Sequence, residues 1–459
     1  MSVSSFCTDN KPFGEIMRIR LSDHFTYKKL IRFVLPSVIM LIFTSIYGVI
    51  DGLFVSNFSG KAAITAINLI FPPIMMIGGF GFMIGAGGTA IVARVLGEND
   101  GQKANSYFSM FVYFTAVGGT LISAIGVVFA KPLADMLGAK GEIFDLAVLY
   151  GRILFCSMPF FMLQNLFQSF FVAAEKAKLG LTVTVIAGCT NILLDVLFVA
   201  ALEWGLTGAA LATALSQFVG GVLPVFYFAR NNDSLLRLGK TNFRIKILAE
   251  ACLNGSSELL SNISSSVVII LYNFQLLRLA GDDGVAAYGV IGYVGFIFIA
   301  VFIGYSVGIA PVIGYNYGAD NRAEMKNILG KSILLLSLTQ VAMLLLCAFL
   351  SWPISALFVG YDKALMSLTV HAMRIYAFSY LFCGFSIFGS SFFTALGNGP
   401  VSAAISFMRT LVFQVLFVFL MPAIFGLNGI WFAMIAAEGA AFAVTVAFIL
   451  AKRKKYGYI

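Results

Sequence analysis

The 459-residue chain is short of charge: Asp, Glu, Lys and Arg make up 11% of it, against roughly 25% in an average soluble protein. Histidine occurs twice and tryptophan three times, whereas hydrophobic residues account for 60%, with 46 Phe and 45 Gly. A water-soluble globule of this length could not bury so much apolar surface, so the solvent for most of the chain is lipid. Disordered, coiled-coil, collagen-like and disulfide-scaffold classes are excluded by the same composition.

Other absences narrow the function. Cys7, Cys156, Cys189, Cys252, Cys347 and Cys383 are scattered and none forms Cys-x-x-Cys, so neither a disulfide framework nor a firm metal site is expected. Gly239-Lys240-Thr241 and Gly330-Lys331-Ser332 resemble the end of a P-loop, but Ser234 and Met325 stand where its first Gly belongs. No His-Glu-x-x-His or Gly-x-Ser-x-Gly occurs. An enzyme or a nucleotide-driven pump is therefore not expected, and no cofactor is called for. The first 28 residues lack an apolar core followed by a small-residue cleavage site, which speaks against a removable signal peptide. Ile16, Ile19 and Leu21 among basic residues suit either a short interfacial helix or a plain tail.

What is present is a series of long apolar runs. Twelve helices are predicted, over 30–56, 62–95, 104–130, 143–174, 178–201, 206–229, 246–279, 284–317, 324–350, 363–396, 400–423 and 428–451. Several exceed the ~20 residues a bilayer requires and must tilt or protrude. Turn chemistry separates them, as in Gly-Asp-Asp-Gly at 281–284 and Gly-Asn-Gly-Pro at 397–400. With both termini cytoplasmic, 22 of the 30 Lys and Arg fall on inner segments and the helix ends that border them. Only Lys61, Lys131, Lys140 and Lys363 fall on outer loops, the asymmetry of the positive-inside rule. The net charge of +9 is thus a topology signal, and no nucleic-acid partner is expected. The expected location is the cell (inner) membrane, multi-pass, with the bilayer as partner and a monomer as the working unit.

The halves of the sequence repeat. At an offset of 221, Gly87 falls on Gly308, Gly97 on Gly318, and Gly205-Leu206-Thr207-Gly208 on Gly426-Leu427-Asn428-Gly429. Asp195 falls on Gln414 at 219, and Ser169-Phe170-Phe171 on Ser391-Phe392-Phe393 at 222. The fold class expected is an all-α polytopic membrane protein whose twelve helices form two six-helix lobes. Its domains are a tail (1–29), an N-lobe (30–229), a linker (230–245), a C-lobe (246–451) and a basic tail (452–459). Two lobes inserted in one orientation point to a transporter with its site between them.

Ionisable groups inside lipid are costly, so each is a candidate for function. Asp51 lies in helix 1, and Asn191 and Asp195 lie four apart in helix 5, on one helix face. Such carboxylates suit uptake of H⁺, and the Asp-Asp-Asn set equally offers oxygen ligands to Na⁺; pairing with a nearby Asn or Arg is the bland alternative. Position 51 maps onto Tyr272 and position 195 onto Gln414, so only one half carries titratable groups here. Gln164, Gln168, Glu258, Asn273 and Gln414 are candidates for lining a substrate cleft, with interhelical hydrogen bonding as the alternative. Glu258 and Glu438 could instead pair with Arg278, Arg374 or Arg409. Gly81-x-x-x-Gly85 and Gly304-x-x-x-Gly308 are suited to close helix packing.

These pieces together resemble the multidrug and toxic compound extrusion (MATE) family, in its prokaryotic DinF/MepA-like branch, over residues 30–451. The resemblance rests on Asp51 before a short outer loop, Ala93-Arg94-Val95-Leu96-Gly97, Asn191-x-x-x-Asp195, Gly205-x-x-Gly208-Ala209-Ala210 and Ala310-Pro311-Val312-Ile313-Gly314-Tyr315-Asn316-Tyr317-Gly318. It implies a V-shaped pair of lobes exporting amphipathic, often cationic compounds, driven by inward H⁺ or Na⁺. It implies a cation-coupling site at Asp51, Asn165, Asn191, Asp195 and Thr213. The sequence departs from the family after helix 4, where Ala174-Glu175-Lys176-Ala177-Lys178 replaces the usual Gly-containing turn. A lipid-linked oligosaccharide flippase or polysaccharide exporter of a related superfamily is the alternative, and a membrane-embedded lipid-modifying enzyme a more distant one.

Overall fold

The computed structural model describes residues 19–58 and 60–458, and among these every regular element is helical. The N-lobe comprises α1 (Tyr27–Phe58), α2 (Gly60–Gly97), α3 (Gly101–Met136), α4 (Glu142–Ala173), α5 (Ala177–Asp195, continued as a π-helical segment Val196–Ala201) and α6 (Gly205–Ala229). The C-lobe comprises α7 (245–280), α8 (282–318), α9 (Arg322–Val359), α10 (Lys363–Ala395), α11 (Gly399–Phe425) and α12 (Leu427–Tyr456). Large apolar side chains such as Val128, Phe349 and Leu357 stay exposed on the flanks, as surfaces that face lipid tails should. The chain is a multi-pass membrane protein of two helical lobes.

Most helix ends shift by a few residues, α3 running on to Met136 and α9 to Val359, and three boundaries change in kind. The turn expected at 281–284 shrinks to one residue: only Gly281 leaves helical geometry, at φ 63° and ψ −153°, a conformation that glycine adopts readily. The basic residues 452–455 extend α12 and do not form a separate tail. Residues 19–26 form a turn and extended chain, not an interfacial helix; Ile16 and the preceding tail lie outside the described residues.

The repeat is visible in the backbone. Asn99 and Asp320, 221 apart, both adopt positive φ (60° and 50°) where α2 and α8 end. The next residues cap the following helices alike: Asp100 accepts from the Lys103 N–H at 3.0 Å and Asn321 from the Glu324 N–H at 3.1 Å. Gly205 and Gly426 share φ 54° and 58°. In the turn after α4, Glu175 holds φ 58° where its counterpart in the C-lobe, Gly397, holds φ 73°. The departure noted in the sequence thus keeps the turn's shape with a residue that pays about 1–2 kcal/mol for it.

Glycine also sets how the lobes meet. A Cβ on Gly97 of α2 would sit 2.0 Å from the Tyr315 carbonyl oxygen of α8, and one on Gly318 would sit 2.0 Å from that of Arg94. Since Arg94 and Tyr315 are themselves 221 apart, this is one contact repeated by the pseudo-symmetry. Gly87 and Gly255 bring α2 against α7 in the same way, at 1.9 Å from the Ala251 and Met83 carbonyl oxygens. Of the two Gly-x-x-x-Gly pairs, Gly81 and Gly85 seat α2 on α4 within the N-lobe, whereas Gly304 and Gly308 seat α8 on α1 across the lobes. All these inter-lobe approaches lie in the helix halves nearest the linker. The linker is fastened to the N-lobe: the Arg237 N–H donates to Asn105 Oδ1 at 2.8 Å, the Gly239 N–H to Ser109 Oγ at 3.0 Å, and Thr241 meets Ser106. Lys176 Nζ lies 2.6 Å from Asp233 and holds that carboxyl below its ordinary range.

Candidate functional site

The N-lobe site is assembled by close packing of α5 on α1. Phe43, Tyr47 and Asp51 recur at intervals of four along one face of α1, and Gly188, Asn191 and Asp195 recur at three and four along α5. Gly188 lacks a side chain where Phe43 and Tyr47 press in; a Cβ there would fall 2.5 Å and 2.8 Å from their rings. That approach carries Asp51 to Asp195 one to two turns further on. From α6, Ser216 Oγ donates to the Ala187 carbonyl oxygen at 2.9 Å, and Thr213, one turn earlier on the same face, is brought to the cluster. The side chains of Asp195, Asn191 and Thr213 are turned toward the Asp51 carboxylate.

The cluster is buried at Asp195 and Asn191 and half-buried at Asp51 and Thr213, and many of its polar atoms are unused. Asp195 is 0% exposed and Asn191 2%. Among the described residues, Asp51 Oδ1, both carboxylate oxygens of Asp195 and both amide atoms of Asn191 have no partner within hydrogen-bond geometry. Asn165 on α4 is buried with a free Nδ2, but it is not among the side chains turned toward Asp51. Two tyrosines that the sequence reading left unassigned complete the surroundings. Tyr47 lies beside Asp51 and is reached by Gln164, while Tyr150 of α4 lies within electrostatic reach of both aspartates. Tyr47 was visible as the i−4 neighbour of Asp51; nothing local marks Tyr150.

The same positions in the C-lobe also touch. Tyr272 and Gln414, the counterparts of Asp51 and Asp195, are joined by a hydrogen bond from Tyr272 Oη to Gln414 Oε1 of 2.9 Å. Gln414 Nε2 is directed at Met434 Sδ, and the Tyr272 ring stacks on Tyr288. One fold thus builds two versions of a contact, satisfied and neutral in the C-lobe, titratable and with unpartnered oxygens in the N-lobe. Each lobe's fifth helix carries a π-helical segment near this contact, Val196–Ala201 and Met408–Val412, a distortion common at functional sites.

The cleft candidates are divided between the lobes. Gln164 and Gln168 are buried in α4, Gln164 reaching Tyr47. Gln414 is held in the C-lobe interior by Tyr272, and Asn273 is half-buried on α7. Glu258, half-buried on α7, lies within reach of the Arg409 charge. Arg409 itself donates from Nε to Glu438 Oε2 at 2.9 Å, in an ion pair whose side chains are 14% and 2% exposed. Pairing is therefore the role of Glu438, with Arg409 the partner among the three arginines considered. Removing one member of such a pair strands the other charge, at a cost of about 3–5 kcal/mol. Glu438→Gln should accordingly lower the melting temperature of the detergent-purified protein, and the double change Arg409→Met with Glu438→Leu should lower it less. An equal loss in the double variant would contradict the pairing.

Comparison with known proteins agrees with this architecture. The MatE family model matches residues 36–197 and 259–420, once in each lobe. The multidrug export protein MepA of Staphylococcus aureus (strain MRSA252) is 24% identical over 432 residues, covering 93% of this chain and 94% of that protein. MepA of Staphylococcus saprophyticus subsp. saprophyticus is 25% identical over 417 residues, covering 90% and 91%. Among solved structures, a MATE protein in complex with MaL6 superposes with a TM-score of 0.90 at 23% identity, covering 95% of this chain and 98% of that one. The outward-facing conformation of a multidrug resistance MATE family transporter of the MOP superfamily gives 0.89 at 23% identity, with the same coverage. With two tandem matches that span more than half of its length and fall one in each lobe, this chain belongs to the MatE family.

Proposed function

We propose that this protein is a secondary active exporter of amphipathic, often cationic compounds, working by alternating access between its two lobes. The observation that carries the reading is the pair of contacts at repeat-related positions, Tyr272–Gln414 and Asp51–Asp195. Buried polar atoms normally find partners, and the C-lobe contact obeys that rule. The N-lobe contact holds two carboxylates, an amide and a hydroxyl, all oxygen donors suited to H⁺ or to a hard cation such as Na⁺. Uptake of that cation at Asp51, Asn191, Asp195 and Thr213, with Asn165 alongside, supplies the missing partner and the driving force. MepA, the multidrug export protein to which the chain is similar across nearly its whole length, supports the substrate class.

Among the described residues, the linker, residues 19–26, the end of α12 and most Lys and Arg lie at the end where glycine-mediated approaches join the lobes. By the positive-inside rule this end is cytoplasmic, in the cell membrane. The state described is therefore closed to the cytoplasm, with the carboxylates in the outer half of the N-lobe. Cation binding there draws α1, α5 and α6 together and releases the exported compound; loss of the cation restores affinity for it. Glu258, Gln168 and Asn273 are the groups we place in the cleft, and the working unit is a monomer. Purified protein in liposomes loaded with ethidium, with pH and Na⁺ gradients imposed separately, tests the reading. One of the two gradients should accelerate dye movement about fivefold or more; no acceleration by either would overturn it.

A further inference from the structure

Residues 19–26 lie between the lobes without belonging to either packing core alone. Leu21 and Phe25 are both 0% exposed. Leu21 is held on its two sides by different lobes. Its N–H donates to Glu175 Oε1, in the N-lobe turn after α4, at 2.7 Å, and its carbonyl oxygen accepts from Asn316 Nδ2 of α8 at 3.5 Å. The rest of the segment is fastened to α9. The Phe25 N–H donates to Glu324 Oε1 at 2.9 Å, and His24 Nδ1 lies 2.6 Å from Glu324 Oε2. The Phe25 carbonyl oxygen accepts from Asn327 Nδ2 at 3.1 Å and from the Lys331 ammonium. Glu324 is 6% exposed, and Asn327 Nδ2 also donates to its Oε1 at 2.8 Å.

The N-lobe end of this arrangement rests on the residue where the sequence departs from its own repeat. Glu175 keeps positive φ at a position that Gly397 fills in the other lobe. Glycine would adopt that backbone without strain, but it would offer no carboxylate to Leu21. Strain of this kind persists where the surroundings over-determine it and where a residue has work to do.

We propose that residues 19–26 form an inter-lobe clamp at this end of the molecule, anchored on the C-lobe by Glu324 and released from the N-lobe at Glu175. The division of bonds sets the breaking point: among the described residues, five of the hydrogen bonds named above tie the segment to α8 and α9, and the Leu21 N–H ties it to Glu175. When the lobes part at this end, the segment stays with the C-lobe and the Leu21–Glu175 bond opens. Even a neutral acceptor would make that bond worth about 0.5–1.5 kcal/mol, enough to bias the equilibrium between the two states.

The clamp rests on the alternating-access reading above, and its test does not require export. Spin labels on exposed Lys178 and Lys326, as K178C and K326C in the full-length protein with its native cysteines replaced, report lobe separation in lipid nanodiscs by pulsed electron resonance. Wild type should give a short, narrow distribution. E175G keeps the turn but removes the acceptor, so the population at longer distance should rise about tenfold, the equivalent of about 1.4 kcal/mol. E175Q retains an acceptor oxygen and should stay close to wild type, whereas E324A, which frees the opposite anchor, should shift as E175G does. Wild-type distances in both E175G and E324A would overturn the clamp, as would an E175Q shift as large as that of E175G. Failure of wild-type protein to move dye in liposomes would instead count against the export reading and leave these distances unaffected.

Discussion

Cells lacking other efflux pumps and expressing the Asp195→Asn variant should accumulate ethidium to the level of cells with no transporter. The variant should still reach the membrane and purify as a folded protein. The physical reason is the division between the two lobes. Asn at 195 gives α5 a neutral side chain of the same size, close to the Gln414 that serves at the matching position of α11. The fold therefore tolerates it, and an amide facing Asp51 even offers the donor that carboxylate now lacks. What is lost is one of the two titratable carboxyls of the cluster, and with it the response to a cation gradient. Asp51→Asn should behave in the same way. Combining the two should add little further loss, because groups that act as a unit are not additive. Dye accumulation and membrane abundance, measured on the same cells, check this; undiminished efflux by either single variant would contradict it.

The second large effect is expected at the glycine crossings. Leucine at Gly97 or Gly318 places carbon atoms where a carbonyl oxygen of the opposite lobe now stands, since even a Cβ would come within 2.0 Å. A backbone carbonyl in the last turns of a transmembrane helix cannot move aside as the tip of a flexible side chain would. The helices must separate, so the state closed at this end is lost while each lobe, packed on its own core, remains intact. Gly97→Leu and Gly318→Leu should each reduce export about tenfold or more. They should do so equally, because the pseudo-symmetry makes them the same contact. Dye efflux rates and inter-lobe distances between labels on α5 and α9 check both statements. A Leu variant with wild-type efflux would show that this contact need not close during transport. Gly101, which has open space around it at the start of α3, is the control expected to tolerate leucine.

Much of this architecture was legible in the sequence, and particular residues show why. Lipid demands long apolar helices with internally satisfied backbones, so spans announce themselves by length alone, and the repeat announces the two lobes. Asn191 and Asp195 were legible because a spacing of four on a helix fixes a shared face. The parts that escaped depend on which helix lies against which. The turn expected at 281–284 contracts to Gly281 because a single residue with positive φ suffices to break the helix. Tyr150 joins the aspartates only through the placement of α4, and Glu438 meets Arg409 only through the crossing of α11 and α12. Residues 19–26 look like an ordinary polar tail, yet they gain their partners nearly 300 residues away, at Asn316, Glu324, Asn327 and Lys331. No local pattern encodes such a pairing. Glu175 is the instructive case, because the sequence marked it as a departure, and the structure supplies the reason in the N–H of Leu21.

The central claim is that cation uptake at the N-lobe carboxylates and binding of the exported compound in the cleft oppose one another. Equilibrium binding of ethidium to the purified protein, titrated at several pH values and Na⁺ concentrations, tests it most directly. Linkage requires that if the cation weakens the dye, the dye weakens the cation by the same factor. Wild type should lose dye affinity about fivefold or more as one of the two cations is raised, and Asp195→Asn should bind dye with an affinity indifferent to either. Dye binding in wild type that ignores both cations, or a cation dependence that survives unchanged in Asp195→Asn, would contradict the account.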